Sequence, residues 1–130
     1  MNRNLEKVKN YLASLGYDVS KEDTADGILV LNSEDRGLSN LMLIAEGDVL
    51  VIEQHIFNIK HDHKETYKRL LQMNRELIHG AYVLDEAGKT VLFRDTLEME
   101  NLDTNELEAS LNAFTLSLAE NAEDLIAFSK

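Results

Sequence analysis

The sequence predicts an α+β domain, an antiparallel sheet of five to six strands with helices packed on it, in the order α-β-β-β-(β)-α-β-β-α. Three observations predict it. Short runs rich in leucine and β-branched residues, such as Ile28–Leu31 and Val49–Ile52, sit between turn-forming residues in the middle of the chain. Apolar residues recur at helical spacing near both ends. The strands group into hairpins and do not alternate singly with helices, which segregates the two kinds of element into layers. With 130 residues and no internal linker, residues 1–130 are expected to form one domain.

The first element is a helix, because Leu5, Val8, Leu12 and Leu15 fall on one stripe and Gly16 follows where a left-handed cap belongs. Tyr17–Glu22 reads as a short edge strand. Gly27–Asn32 is a strand bounded by Asp26-Gly27 and by Ser33–Gly37. Asn40–Ala45 and Asp48–Gln54 flank Glu46-Gly47, a tight hairpin turn in which glycine supplies the positive φ. A second helix is expected from Lys64 to Ile78. Tyr67, Leu70, Leu71, Asn74, Leu77 and Ile78 share a face, Asp62 and Glu65 form a capping box, and His79-Gly80 ends the helix. Ala81–Asp85 and Lys89–Arg94 form another hairpin.

The closing helix has the strongest local signal. Asp103 is an N-cap with Glu106 three residues on, and Leu102 can staple onto Leu107. Behind that start Leu107, Leu111, Phe114, Leu118, Ala122 and Leu125 make one stripe, which predicts a helix of about 25 residues. Ala109, Ala113 and Leu116 widen its apolar surface.

The strands Ile28–Leu31, Leu41–Ile44 and Val49–Ile52 are apolar on both faces. One face belongs against the helices, and the other needs cover of its own. A protein partner or a homodimer would supply that cover. Met42, Ile44, Leu50 and Ile52 are the candidate partner contacts. The four methionines read as core filling or as adaptable surface, and Met42 is the one to watch because its strand has apolar neighbours on both faces, with core filling the commoner reading.

Composition excludes several function classes. A net charge of −11 repels phosphate backbones, so nucleic acid is not an expected partner. The charge is uneven: residues 1–84 hold 13 acids and 10 bases (net −3), whereas residues 85–130 hold 11 acids and 3 bases (net −8). Such a field solvates a helix face or steers a basic partner. There is no cysteine, hence no disulfide and no thiol chemistry. No apolar run approaches a membrane span, and the first residues lack the apolar core of a signal peptide, so a cytoplasmic protein is expected.

Candidate chemistry is sparse. His55, His61 and His63 lie close together and, with Glu65, offer imidazole and carboxylate to a divalent metal, which makes a metal-dependent regulator or small enzyme the alternative function. Against that, an alternating pair of histidines in a loop gives two ligands, and a solvated approach to a helix explains them equally. Asp23 with Asp26, or Asp95 with Glu98, are the carboxylate pairs acid–base catalysis would draw on, although with 24 acids such pairs arise by chance. Nucleophile elbows, phosphate-binding loops and dinucleotide glycine fingerprints are absent. No catalytic residue and no cofactor is assigned, and an enzyme is not expected.

The element order, the small acidic chain and the amphipathic C-terminal helix resemble the type III secretion chaperone-like fold shared by YbjN-type proteins. More narrowly, Leu41 to Lys130 is similar to the bacterial YjfI-like family of unknown function. That likeness is carried by Leu41-Met42-Leu43-Ile44-Ala45-Glu46-Gly47-Asp48-Val49-Leu50-Val51-Ile52, by Phe93-Arg94-Asp95-Thr96-Leu97 and by Leu102-Asp103-Thr104-Asn105-Glu106-Leu107-Glu108. The resemblance implies a bacterial, cytoplasmic, non-enzymatic protein, dimeric in many relatives, that works on a protein partner. Secretion chaperones hold an extended effector segment along helix and sheet surfaces. YjfI-like relatives tend to be encoded beside homologues of phage-shock protein A, a membrane-stress coiled-coil protein.

Overall fold

A computed structural model describes residues 3–130. The chain runs α1 (Arg3–Ser14), β1 (Val19–Asp23), β2 (Ile28–Ser33), a 3-10 turn (Glu34–Arg36), β3 (Leu38–Glu46), β4 (Val49–Asn58), α2 (Lys64–Arg75), β5 (Ala81–Leu84), β6 (Thr90–Glu98), α3 (Thr104–Glu120) and α4 (Ala122–Phe128). The six strands form one antiparallel sheet in the order β1-β2-β3-β4-β6-β5, so β1 and β5 are its edges. The predicted α+β class and element order hold.

Side chains alternate across a strand, so each strand contributes to two faces. Leu29, Leu31, Leu41, Leu43, Leu50, Ile52, Phe57, Val91, Phe93 and Leu97 point to one side and form a single core with the buried residues of all four helices. In α1 these are Leu5, Val8 and Leu12, the predicted stripe. Burying one such side chain stabilises by roughly 1.5–3 kcal/mol. Lys7 Nζ donates to the Met99 carbonyl at 2.9 Å and the Tyr11 hydroxyl to that of Leu102 at 3.0 Å, which ties α1 to the segment leading into α3.

The turns follow the sequence closely. Gly47 has φ +57° in the two-residue turn between β3 and β4. Gly80 is more constrained: at φ +79°, a Cβ there would lie 2.5 Å from the Phe93 ring. Glycine therefore lets the approach to β5 cross directly over the core aromatic.

Three expectations are corrected. Helix α2 ends at Arg75, not Ile78, and buries Thr66, Leu70 and Met73, so Leu71 and Ile78 lie 70% and 90% exposed. The capping box is not formed. His63 holds the N-cap position without a side-chain bond. The Asp62 carboxylate instead lies against the Tyr67 hydroxyl and raises its pKa by hydrogen bonding. The closing helix is broken at Asn121, with 17 residues in α3 before it and seven in α4 after it. Asn121 has φ −109° and ψ 12°, and its Nδ2 donates to the Ser117 carbonyl at 3.0 Å. Short polar side chains that compete for backbone groups in this way are poor helix interiors.

The start of α3 is as predicted. Asp103 Oδ1 accepts from the Glu106 backbone N–H at 2.8 Å. Serines, which the apolar stripe did not include, complete its inner face. Ser110 donates to Asp95 Oδ2 at 2.6 Å, and the Ser117 and Tyr82 hydroxyls lie 2.6 Å apart in the core. Asn74 brackets the Tyr82 backbone, accepting from its N–H at 2.8 Å and donating to its carbonyl at 3.1 Å. That bracket holds α2 against β5.

Candidate partner-binding surfaces

The helices pack on one side of the sheet, and the register shows what the other side carries. Ile28, Ile44, Val51 and Thr96 lie in one cross-strand row; Val30, Met42, Glu53 and Arg94 lie in the next. Ile28, Val30, Met42 and Ile44 are half-buried, and none of them joins the core. Val51 is buried at the centre of this patch and is likewise outside the core cluster. Neighbours in such rows are close enough to act as one surface.

Polar groups frame the patch. Arg94 and Glu53 form an ion pair of 3.5 Å on one flank. At the opposite flank Asn32 donates to Asn40 Oδ1 at 3.1 Å and to the Ser20 hydroxyl at 2.9 Å, and its Oδ1 accepts from the Asn40 N–H. An apolar centre inside a polar rim is the common anatomy of a protein–protein interface.

The four candidate contacts separate by strand phase. Met42 and Ile44 lie on this open face, whereas Leu50 and Ile52 point the other way and are buried in the core. Register explains it. Leu43 pairs with Ile52 and Ala45 with Leu50 on the inner side, while Ile44 pairs with Val51 on the outer. Val51, Ile28 and Val30 belong to the patch and were not singled out from the sequence. The pairing register, which identifies them, is a tertiary property.

The histidines do not converge. Among the described residues no three His, Cys, Asp or Glu side chains gather to hold one metal ion. His61 and His63 lie with ring centroids 5.8 Å apart on the exposed approach to α2, and Glu65 is exposed beside them. His55, on β4, engages Asn58 Oδ1 at 2.9 Å. The carboxylates likewise serve structure. Asp23 Oδ1 accepts the Asp26 N–H at 3.1 Å in an exposed turn, and hydrogen bonding with Asp23 raises the Asp26 pKa. Asp95 turns inward to Ser110, while Glu98, three residues on, has the opposite strand phase.

Two further apolar surfaces occur. At the β5 edge, Leu71 and Leu84 (44% exposed) flank a groove with Tyr67 and Val83. Between the end of α2 and α3, Met73, Leu77, Ile78, Ala109, Ala113 and Leu116 line a second. No helix among the described residues is long and apolar enough to cross a membrane.

A six-stranded antiparallel sheet with helices on one face and an open apolar patch on the other defines a binding scaffold more readily than a catalytic cleft. The family is shown directly: the CesT_Tir_1 model matches residues 1–130, and the chain belongs to that family. Its fold is that of type III secretion chaperones and YbjN. Escherichia coli YbjN superposes with a TM-score of 0.70 at 12% identity, over 92% of this chain and 91% of that one. The heterodimeric ExoU–SpcU complex of the Pseudomonas aeruginosa type III secretion system gives 0.71 at 14% identity, over 90% and 96%. The HopA1–SchA chaperone–effector complex gives 0.60 at 14% identity, over 97% and 94%. No curated protein sequence matches the chain.

Proposed function

We propose that this chain is a non-catalytic, chaperone-like protein-binding module of the bacterial cytoplasm, whose open sheet face takes an apolar segment of a partner protein. One observation carries the reading. Ile28, Val30, Met42, Ile44 and Val51 form an apolar patch that no helix covers and that the core does not include. Such a patch on a soluble scaffold marks an interaction site. The similarity to a chaperone–effector complex supports a polypeptide as the occupant. The partner we propose is an envelope-stress protein of the phage-shock protein A type, on the YjfI-like resemblance of Leu41–Lys130.

The test is co-purification of the tagged chain with the phage-shock protein A homologue of the same cell, for wild type and for Met42→Glu and Ile44→Glu. Both variants are expected to keep their thermal stability and to lose the partner. Retention of the partner by both variants would exclude the sheet face as its site, and a wild type that recovers no such protein would exclude the named partner.

A homodimer is the second reading, favoured by the free β5 edge beside exposed Leu71 and Leu84. An unpaired strand edge next to apolar side chains is a template for a second copy. Sedimentation of wild type and Leu84→Lys decides it: a dimer that the substitution dissociates supports the reading, and a monomeric wild type ends it.

A further inference from the structure

Helix α3 buries Leu107, Leu111 and Phe114, but two polar residues share that inner face and a large apolar residue stands outside it. Ser110 and Ser117 are buried beneath it, hydrogen-bonded to Asp95 and Tyr82, while Leu116 stands 59% exposed on the outside. Ala109, Ala113 and Leu116 recur at steps of four and three, which places them in one outward stripe. Facing them across a groove of about 310 Å³ are Met73, Leu77 and the almost fully exposed Ile78.

The carboxylates in the groove lining outnumber its titratable bases, of which His79 is the one present, while Arg69 reaches the rim at Asn121 Oδ1, 3.5 Å away. Glu76 and Glu120 stand in its lining, which contains no lysine or arginine. From Asp95 to Ser129 the chain carries nine acids and no lysine or arginine. The walls come from α2, the turn after it and α3, so no free strand edge is available there for an extended segment to pair with.

We propose that this groove docks a cationic amphipathic helix of a partner protein. Large apolar side chains of that helix enter between Leu116 and Ile78, and the alanines allow its backbone to come close. Lysines or arginines on its flanks lie against Glu76 and Glu120. This is helix-in-groove recognition, with anchors at i, i+3 or i+4, and i+7. A second copy of this chain fits poorly, because it would set the same acids against each other. The groove is separate from the sheet face, and the inference does not depend on that site.

The probe is a synthetic peptide of about 18 residues, long enough to form a helix when bound, built of lysine, alanine and leucine with leucine along one face. A second peptide carries glutamate in place of each lysine. Anisotropy titrations are expected to show saturable one-to-one binding of the lysine peptide, weakened by salt, and none of the glutamate peptide. Leu116→Glu and Ile78→Glu should each weaken binding at least about tenfold, the effect of removing an interface anchor. The direction is decisive: each substitution adds an acid, so attraction to net charge alone would tighten binding. Met42→Glu should leave the affinity unchanged, which separates this groove from the sheet face.

Equal or tighter binding to Leu116→Glu, or no binding of the lysine peptide to wild type, would overturn the proposal. So would a native dimer that Leu116→Glu dissociates, because a second copy would then be the occupant.

Discussion

Adjacent residues of one strand show how the two faces of the sheet differ. In β3, Leu41 and Leu43 are sealed in the core, whereas Met42 and Ile44 alternate with them and point to the side without helices. The chemistry of the side chains is nearly the same on both faces. What separates them is cover: α1 to α4 close over the inner face and bring polar ties of their own, from Ser110, Ser117, Asn74 and Tyr11. The outer face carries polar groups at its margins, the Asn32–Asn40 and Glu53–Arg94 pairs and the His55–Asn58–Thr90 contacts, around an apolar centre. Apolar residues therefore build the core on one side and lie outside it on the other.

The sharpest way to break this comparison is to truncate neighbours of opposite phase. Leu43→Ala should cost about 2–5 kcal/mol in urea unfolding, the range for a buried leucine whose site cannot collapse. Met42→Ala should cost well under that, roughly 0.5 kcal/mol or less, as for a surface substitution. Comparable losses at the two positions would mean that the outer face is already covered in the isolated chain.

An intermediate effect is expected at Tyr82. Tyr82→Phe removes the shorter of two hydrogen bonds at the Ser117 hydroxyl, which keeps Asn121 Nδ2 at 3.3 Å, and should cost about 1.5 kcal/mol, the upper end of the net worth of one hydrogen bond. The same residue gives the inner face a pH signature. Burial raises the Tyr82 pKa above its ordinary 10.0, against the opposing hydrogen bonds from Ser117 and Asn121, and burial raises that of Tyr17 as well. A raised tyrosine pKa means that the folded state holds the proton more tightly. Its stabilising contribution is complete below pH 10.0 and is lost as pH rises through the higher folded value. Midpoints of urea unfolding should thus fall above that pH, and less steeply in Tyr82→Phe.

The smallest change tests the helix layer that does the covering. Asp103→Ala removes the side-chain acceptor for the Glu106 N–H and should lower stability by about 1 kcal/mol. Calorimetry should show this without any change in partner binding at the sheet face.

The legibility of the molecule follows the same division. Elements whose signal is local were readable: the stripe of α1, the Glu46-Gly47 hairpin, the Asp103 cap and the order of the strands. Strand phase was not readable, because alternation carries information only when one face is polar. Met42, Ile44, Leu50 and Ile52 look equivalent in the sequence, and only the β3–β4 register divides them into two outward and two inward. The face of α2 was legible only in part: Leu70, Asn74 and Leu77 face the core and β5 as expected, and Leu71 and Ile78 do not. Its buried side includes Thr66 and Met73 and omits Leu71, so hydrophobicity alone drew the stripe too wide, and the added turn to Ile78 extended it past the helix end. The break at Asn121 was hidden by an apolar repeat that continues across it. The α2–α3 groove was half visible in Ala109, Ala113 and Leu116, but its other wall depends on where α2 stops.

The Asn121 joint also separates the anchorage of α4 from that of α3. Beyond it, α4 is held by buried Leu125, by Phe128 against Phe57 with ring centroids 6.3 Å apart, and by an Arg69–Asp124 ion pair of 2.9 Å. That is little anchorage for a seven-residue segment, and the surface-exposed ion pair weakens with salt. Amide protons of α4 should therefore exchange with deuterium well before those of α3, through a local opening that leaves the sheet intact.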